Sequence, residues 1–588
     1  MRHPLGMVSS PAFLNVEQSL TQRRWLGPDA AQDRMAEAMV QATRLPLALC
    51  RILVARGVTP EEAPTFLAPA LRDLMPDPLT LRDMGVAADR LLRAVARREK
   101  IAVFADYDVD GGSSAALIQV WLRHFALSST LYIPDRIDEG YGPNVPAMEA
   151  LARDHDLILC VDCGTLSHEP VAAAAAADVV ILDHHLALET LPEAMAVVNP
   201  NRQDEDGSLA HLCAAGVVFL LLVEANRRLK AEGAAGPDLM AMLDLVALAT
   251  VADVAPLVGL NRAFVRQGLK VIARRERPGL RALADVARMD QAPTPHALGF
   301  LLGPRVNAGG RIGRADLGAR LLATDNEVEA GRLAAELDQL NADRRVVTEL
   351  VRQEALAQAE ARGLDGPLVW AAGEGWHPGV VGIVAARLKE AANRPSVVIG
   401  FEGDHGKGSA RSVAGVDLGA AVQRLAAEGL IEKGGGHKMA ARLSLTRAQL
   451  ASAMARLAEL LARQGAGSGG AADLRIDGLL TTAAATVALI EALDGAGPFG
   501  AAAPAPRFAF ANVAVSGRRI GESHLKLSVS DSSGPSLDAI AFGAFDGPIG
   551  PALENPGHRR FHLAGRLELN HWNGRTRVQL RLDDAAFA

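Results

Sequence analysis

Residues 101–110 read Ile-Ala-Val-Phe-Ala-Asp-Tyr-Asp-Val-Asp and are followed directly by Gly-Gly-Ser-Ser. The apolar start predicts a buried strand, and the apolar pattern of 115–125 predicts a helix after it. Three carboxylates, those of Asp106, Asp108 and Asp110, are crowded at the carboxyl end of this strand, where they repel one another unless a cation binds. Hard divalent metals take oxygen ligands, and a parallel sheet places its ligand sites at this edge. The stretch therefore predicts a metal site.

Two further predicted strands end in side chains of the same kind. The apolar run 157–161 ends at Asp162, and the run 179–182 ends at Asp183-His184-His185. Polar residues that merely terminate a strand explain one such end but explain three poorly. Short apolar runs alternate with helical stretches from 101 to about 255, which is typical of a doubly wound parallel sheet. We therefore expect the three strand ends to form one cluster.

A fourth acid stands alone among apolar neighbours. Asp253 lies within Ala-Thr-Val-Ala-Asp-Val-Ala-Pro-Leu at 249–257, where a free carboxylate is costly. A helix cap and a further metal ligand explain it equally well, and both interpretations stay open.

A segment rich in glycine and arginine follows, and a long helix comes after it. Residues 303–314 read Gly-Pro-Arg-Val-Asn-Ala-Gly-Gly-Arg-Ile-Gly-Arg. Glycines let a backbone approach a ligand closely, and arginines suit phosphate oxygens. Residues 326–362 predict one helix of about 55 Å, which we interpret as a linker between two lobes rather than as a lever.

The second lobe is predicted to be another α/β domain. Strands are predicted at 368–372 and 396–400, with a helix at 379–389. Its polar loops include Ser409-Ala-Arg-Ser412 and Gly434-Gly-Gly-His-Lys438. A triple glycine at a helix start can form a phosphate nest, although such a run is more often a simple turn.

The segment Gly465-Ala-Gly-Ser-Gly-Gly470 predicts a linker. Beyond it, an early helix at 481–493 and five strand-like runs suit a small Greek-key barrel of the oligonucleotide-binding type. Aromatic side chains of this region are candidates for stacking on bases, although most are expected in the core: Phe508, Phe510, Phe542, Phe545 and Trp572.

Length and composition limit the classes of protein. A chain of 588 residues is too long for one core. Its net charge of −7 does not advertise a nucleic-acid binder, yet a basic groove can be local. Four cysteines in so long a chain make no disulfide framework, so a reducing cytoplasm is expected. Cys160 and Cys163 have the spacing of one half of a zinc site, but the chain lacks the second pair of cysteines. No apolar run is long enough to span a membrane.

Four motifs are similar to those of the DHH phosphoesterase superfamily: Asp106–Gly111, Val161–Gly164, Asp183–His185 and Ala249–Val254. Gly434–His437 resembles the DHH-associated domain. Residues 303–311, the long helix and the terminal barrel resemble the RecJ family of bacterial single-strand-specific exonucleases within that superfamily. Residues 1–98 predict an N-terminal helical lead-in and carry no signal of chemistry. The resemblance covers about residues 75–588 and implies a DHH domain at 99–325, a connecting helix at 326–363, a DHH-associated domain at 364–464 and an OB-fold at 471–588.

The resemblance also implies a function and its residues. It implies 5′-to-3′ hydrolysis of single-stranded DNA in repair and recombination, with two Mn²⁺ or Mg²⁺ ions, by a monomer in the cytoplasm that a helicase and a single-strand-binding protein supply. Implied metal ligands are Asp108, Asp110, Asp162, His184 and Asp253; implied catalytic residues are His185, Asp106 and Asp183; implied DNA contacts are Arg305, Asn307, Arg311, Ser409, Arg411, Gly434, Gly435, Gly436 and His437.

Three positions depart from the pattern of the resemblance. Phe104 stands where many members have a histidine, so one metal site is expected to be looser. Ala105 and Arg442 stand where glycine is usual; the arginine is expected to add a phosphate contact or to alter the turn. Two other functions are alternatives: a phosphodiesterase of short oligonucleotides or nucleotides, and a non-catalytic single-strand-binding scaffold. The barrel argues against the first, and the intact acidic motifs argue against the second.

Overall fold

The structure is a computed structural model that describes residues 11–136, 139–467, 473–572 and 575–588, without the side chains of 571–575. The chain divides into two compact units. Unit 1 comprises Met1–Ala70, Gly470–Phe499 and Ala503–Ala588, and unit 2 comprises Leu71–Gly469 and Gly500–Ala502.

The strands in chain order are β1 (Trp25–Leu26), β2 (Ile101–Ala105), β3 (Ser129–Tyr132), β4 (Leu157–Val161), β5 (Asp178–Leu182), β6 (Ala196–Val198), β7 (Val369–Glu374), β8 (Ser396–Glu402), β9 (His405–Arg411), β10 (Lys433–His437), β11 (Ala440–Thr446), β12 (Leu474–Arg475), β13 (Gly478–Leu480), β14 (Phe508–Ile520), β15 (His524–Ser530), β16 (Leu537–Ala541), β17 (Phe561–Trp572) and β18 (Arg575–Phe587). The α-helices are α1 (Ala30–Thr43), α2 (Leu47–Ala55), α3 (Ala63–Leu67), α4 (Leu71–Leu74), α5 (Met84–Arg97), α6 (Val109–Arg123), α7 (Val145–Asp154), α8 (His168–Ala173), α9 (Ala214–Ala231), α10 (Leu243–Ala252), α11 (Gly259–Ala273), α12 (Pro278–Val286), α13 (Pro295–Ala297), α14 (Gly303–Ile312), α15 (Leu317–Ala323), α16 (Glu327–Arg362), α17 (Pro378–Ala392), α18 (Leu418–Ala427), α19 (Leu450–Arg463), α20 (Val487–Asp494) and α21 (Ile549–Glu554).

The first sheet of unit 2 is parallel throughout, with strand order β3-β2-β4-β5-β6. Every residue of β2 and β4 is buried, which is why both strands read as continuous apolar runs. Helices α7 and α8 pack on the face that carries Phe104 and Cys160, whereas α6 lies against β2 and α9 against β5. The predicted doubly wound sheet is confirmed.

The glycine- and arginine-rich segment forms a helix rather than a loop. Residues 298–302 form a π-helical turn, and α14 continues from it to Ile312. A Cβ at Gly310 would lie 2.8 Å from the Tyr107 carbonyl oxygen, and one at Gly313 would lie 2.6 Å from Leu340 Cδ1. The glycines thus allow close packing of this helix and its end on neighbouring residues of the protein itself.

A single helix, α16, covers 36 residues and leads from the first sheet to the second. The second sheet has the order β10-β11-β9-β8-β7, in which only β7 and β8 pair in parallel. Ser409 and Arg411 lie in strand β9, and Gly434–His437 lie in strand β10. We expected a polar loop and a helix start at these places, and both expectations were wrong because each segment pairs along β11.

Unit 1 contains the predicted barrel. Strands β14, β15, β16, β18 and β17 pair in that order, and β14 also pairs with β17, which closes the sheet. Phe508 and Phe510 are in its core, as expected, whereas 54% of Phe542 is exposed. Phe545 packs partly buried on the core, and the side chain of Trp572 is outside the described residues.

The beginning of the chain packs within this same unit. Strand β1 pairs in parallel with β12, and the buried Trp25 indole donates from Nε1 to Asp584 Oδ2 at 2.9 Å. Met39 and Leu49, from α1 and α2, lie in the barrel's hydrophobic core. The lead-in, in which we found no signal of chemistry, thus supplies apolar residues to the barrel.

Among the described residues no single helix is long and apolar enough to cross a membrane; α1 and α2 reach the required length and composition only as a pair bent by 120°. The four cysteines are buried free thiols. The linker predicted at 465–470 lies partly outside the described residues.

Candidate metal and nucleic-acid site

Strand register brings the acidic motifs together at one sheet edge. Ala105 pairs with Val161, which in turn pairs with Leu182. The next residue on each of these parallel strands is an aspartate, so Asp106, Asp162 and Asp183 emerge side by side at the carboxyl edge of the sheet.

The loop after β2 is shaped by its own side chains. Asp108 caps helix α6, because its Oδ1 accepts from the backbone nitrogens of Asp110 at 2.8 Å and Gly111 at 3.1 Å. A Cβ at Gly111 would lie 2.4 Å from the Asp106 carbonyl oxygen, so this tight turn requires glycine. The oxygens of Asp110 accept from the first amides of α9, on Ala214 at 2.7 Å and Ala215 at 2.8 Å. These contacts place three carboxylates within one short loop.

The imidazole of His184 lies at the centre of the carboxylates. Its Nε2 is 3.3 Å from Asp162 Oδ1, 3.7 Å from Asp110 Oδ2 and 3.8 Å from Asp253 Oδ2. Three groups bring their ligand atoms within 4.8 Å of one another. They are Asp110 with His184 and Asp253; Asp106 with Asp108 and Asp162; and Asp162 with His184 and His185. We call these seven residues the acid cluster.

Asp253 belongs to this cluster because α10 ends there. The following residue, Val254, has φ +59° and is 70% exposed. Asp162 has φ +61°, which is also in the left-handed region. Such a backbone is strained for a valine, and strain of this kind concentrates at functional sites.

Burial sets the electrostatics of the acid cluster. Desolvation, followed by the charge of Asp108, raises the pKa of Asp106 to about 8. Desolvation and the charge of Asp110 raise the pKa of Asp253 to about 8. The same two causes raise the pKa of Asp162 well above its usual value. The protein thus holds carboxylates whose charged forms are unfavourable without a cation.

Two buried carboxylate oxygens that accept no hydrogen bond indicate whether the residues present can hold a metal ion. Oδ1 of Asp106 and Oδ1 of Asp162 are both buried, and neither has a hydrogen-bond partner among the described residues. An unpaired buried oxygen of this kind is costly. Oxygen and imidazole ligands together suit Mn²⁺ or Mg²⁺, so the residues present fit such an ion.

Asp183 holds the histidine pair rather than facing the cluster. Its Oδ1 accepts from the backbone nitrogens of His184 at 2.7 Å and His185 at 3.2 Å, and lies 2.8 Å from His185 Nδ1. Burial alone would raise the pKa of Asp183, but the hydrogen bonds from His185 and Thr165 lower it. Burial disfavours the charged form of His185, yet the hydrogen bond and charge of Asp183 raise its pKa to about 9. Asp183 thus favours the protonated form of the His185 imidazole.

Arginines converge on Tyr107, directly beside the acid cluster. The Arg136 guanidinium lies 5.0 Å from the centroid of the Tyr107 ring, and Arg442 Nη2 donates to the Tyr107 hydroxyl at 3.3 Å. Arg311 Nη1 donates to the Gly379 carbonyl at 3.1 Å. In the part of the chain that the structure describes, no carboxylate pairs with the members of this arginine cluster: Arg136, Arg311, Arg344, Arg411 and Arg442.

Burial disfavours the charged form of these arginines, as it does for the acids, and in most of them it therefore lowers the pKa. It lowers the pKa of Arg136 and of Arg411, and neighbouring guanidiniums lower both further. Burial, Arg136 and Arg344 lower the pKa of Arg311 to about 10. Cations that repel one another in a partly buried cleft form a site for anions.

Sequence reasoning missed part of this surface. No motif marked Arg136, Arg344 or Tyr141, whose hydroxyl lies 3.2 Å from the His185 ring. Tyr107 lies within the motif Asp106–Gly111 but was given no role. Arg442 was noticed only as a departure from a glycine, and the structure directs it toward Tyr107.

The predicted phosphate contacts divide into two groups. Arg311 and Arg411 belong to the arginine cluster, and Ser409 lies beside Arg411 against Gly382. Arg305 instead donates to Asp338 Oδ1 at 2.8 Å and to the Leu301 carbonyl at 2.7 Å, so its guanidinium is engaged within the protein. Four predicted residues, Gly434, Gly435, Gly436 and His437, form strand β10.

Asn307 and Phe104 also have structural contacts. The Asn307 Oδ1 accepts from the Val109 backbone nitrogen at 3.0 Å, which fixes the loop between Asp108 and Asp110. Phe104 is fully buried and stacks on Tyr132 with ring centroids 5.2 Å apart. A side chain at position 104 therefore packs in the core instead of reaching the acid cluster.

This fold and this site define the class of DHH phosphoesterases. Three family models match the chain: the DHH family N-terminal domain at residues 100–250, the DHHA1 domain at 365–463 and the RecJ OB domain at 476–584.

The chain belongs to the RecJ family. It is 38% identical to the single-stranded-DNA-specific exonuclease RecJ of Dickeya dadantii over 92% of this chain and 96% of that protein. It is 36% identical to the Escherichia coli protein of the same name over the same shares. The crystal structure of Thermus thermophilus RecJ in complex with Mn²⁺ superposes with a TM-score of 0.79, at 29% identity, over 95% of this chain and 79% of that one.

Proposed function

We propose that this protein is a metal-dependent exonuclease that hydrolyses single-stranded DNA from the 5′ end to mononucleotides, in DNA repair and recombination. The observation that carries the proposal is the juxtaposition of the acid cluster with the arginine cluster, which meet at Tyr107. One surface suits cations and the other suits phosphates. The relatives named single-stranded-DNA-specific exonuclease support the substrate.

Two Mn²⁺ or Mg²⁺ ions are part of the proposal. Asp110, His184 and Asp253 would hold one, and Asp108 with Asp162, assisted by Asp106, would hold the other. Bound ions of this type supply a nucleophilic hydroxide from water and stabilise the attacking and leaving oxygens of the phosphodiester. Related structures contain Mn²⁺ or Mg²⁺, which supports the choice of metals.

The side chains of the protein would orient the scissile phosphate. Because Asp183 fixes His185 through Nδ1, the protonated ring can donate from Nε2 to a phosphate oxygen. Arg311, Arg411 and Arg442 would neutralise neighbouring phosphates, and Ser409 can donate from its hydroxyl. We also retain Gly434–His437 as a backbone contact with phosphate. The 5′ end of the strand would lie on the side of the acid cluster that carries these arginines, which would set the 5′-to-3′ direction of hydrolysis.

The proposal also includes a monomer that a helicase and a single-strand-binding protein supply with single strands. Its four free thiols fit the reducing cytoplasm in which we place it. The RecJ OB domain model at residues 476–584 supports binding of a single strand by unit 1.

The experiment uses single-stranded DNA labelled at its 3′ end, with Mn²⁺, Mg²⁺ or chelator. We expect a ladder of progressively shorter labelled products that disappears with chelator. A labelled mononucleotide as the first product would reverse the proposed polarity. Hydrolysis of dinucleotides alone would favour a phosphodiesterase of short oligonucleotides, and binding without cleavage in every metal would favour a scaffold.

A further inference from the structure

An exposed aromatic pair lies on the segment that supports the acid cluster. Phe300 is 66% exposed, although it is a large apolar side chain. The His296 ring stacks on it at a centroid distance of 4.8 Å and an interplanar angle of 23°. A flat ring that is held by a second ring and open to solvent on its other face can receive a further π-system.

The backbone beneath Phe300 is anchored next to the metal ligands. Phe300 lies in the π-helical turn 298–302, a conformation that is frequent at functional sites. A Cβ at Gly303 would lie 3.2 Å from Ala252 Cβ and 3.9 Å from Val109 Cγ2. Ala252 precedes Asp253, and Val109 lies between two aspartates of the cluster. The residue that follows the turn of Phe300 therefore packs against two of the segments that supply acid-cluster residues, those of Asp253 and of Asp108–Asp110.

One continuous helical segment connects this aromatic pair to the arginine cluster. Arg311 is eleven residues after Phe300, about 16 Å along a helix axis. Between them, Asn307 and Gly310 contact the loop of 107–109. A strand whose phosphates lie on the arginines and whose scissile bond lies at the acid cluster would meet Phe300 after a few nucleotides.

We infer that Phe300, supported by His296, is a stacking platform for one base of the bound single strand. This inference rests on the proposed function, because it places the strand at the acid cluster. Stacking on an aromatic ring accepts every base, since each base has a π-face. The platform would hold the strand in register with the site without selecting a sequence.

The test compares wild type with Phe300→Ala, Phe300→Leu and Phe300→Trp, and with Val328→Ala as an exposed apolar control. Affinity for a fluorescent oligonucleotide is measured in chelator, and hydrolysis of the oligonucleotide and of a 5′-phosphorylated dinucleotide is measured with Mn²⁺. We expect Phe300→Ala and Phe300→Leu to weaken oligonucleotide binding roughly five- to one-hundred-fold. Phe300→Trp and the control should bind as wild type does, and dinucleotide hydrolysis should not change.

An abasic site moved along the oligonucleotide locates the stacked base. In wild type, an abasic site at one particular position should weaken binding more than one at any other position. In Phe300→Ala, the position of the abasic site should make no difference. Equal affinity of Phe300→Ala and wild type would overturn the inference, as would an equal loss on the dinucleotide, which indicates damage to the site itself. If wild type hydrolyses neither substrate, the proposed function fails, while the binding measurements in chelator still decide the inference.

Discussion

The acid cluster and the arginine cluster of unit 2 contrast with the ion pairs found elsewhere in the same unit. Arg277 pairs with the buried Asp244 at 2.6 Å, and Arg90 pairs with Asp178 at 2.6 Å. At the site, in contrast, desolvation and like charges raise the pKa values of the acids and lower those of most of the arginines. Most of the acids are repelled by neighbouring carboxylates and most of the arginines by neighbouring guanidiniums, although the two sets are close together. The difference shows that both sets are arranged for external ligands of opposite charge: cations for the acids and phosphates for the arginines.

The largest effect is expected from Asp162→Asn. The substitution keeps the side-chain volume but removes a ligand charge, so hydrolysis with Mn²⁺ should fall at least about a hundredfold. The same change removes a buried carboxylate that its neighbours repel. In the presence of chelator, the variant should therefore unfold at a higher temperature than wild type. Asp343→Asn, at an exposed position of α16, is the matched control. Full activity of Asp162→Asn would exclude Asp162 as a ligand.

An intermediate effect is expected from Arg442→Ala. Loss of one phosphate contact should weaken single-strand binding about tenfold and reduce the slope of log affinity against log salt by about 0.7. Arg305→Ala is the matched control because that guanidinium is paired with Asp338. It should leave the salt slope unchanged and lower the free energy of unfolding by about 1–3 kcal/mol. A reduced slope in Arg305→Ala with an unchanged one in Arg442→Ala would reverse the two assignments.

The acid cluster was predictable because its signals are local. A strand that ends in an aspartate is visible in the sequence, and parallel pairing such as Ala105 with Val161 makes the following residues neighbours. The arginine cluster was predictable only in part: motifs indicated Arg311 and Arg411, whereas Arg136 lies in no motif and approaches Arg442, which is distant in sequence, at Tyr107.

Glycine caused one of the two errors of secondary structure, because the triple glycine that we expected at a helix start lies in β10. The same residue permits a loop and a close helix contact, as at Gly310, and a strand, as in β10. Composition alone does not distinguish these uses. The ion pair of Arg305 with Asp338 was not visible in the sequence for a similar reason, because a guanidinium suits a phosphate and a carboxylate equally well.

The smallest effect is the dependence of stability on pH. Asp106 and Asp253 have an ordinary pKa of 3.8 and a folded pKa of about 8, so the folded chain binds more protons than the unfolded chain between these values. Stability of the metal-free protein should therefore fall as the pH rises through this window. His185, raised from 6.5 to about 9, contributes stability that is likewise lost as the pH rises. Asp183, whose pKa is lowered, stays charged throughout and does not alter the trend.

Thermal unfolding in chelator from about pH 5 to about pH 8.5 measures this trend, and saturating Mg²⁺ should remove it because a bound cation keeps the carboxylates ionised. Asp253→Asn should flatten the metal-free curve by removing one of the titrating groups. If the melting temperature of the metal-free protein rises with pH over this range, ionisation of the carboxylates in the acid cluster does not destabilise the fold. The contrast with the paired carboxylates of the same unit would then disappear.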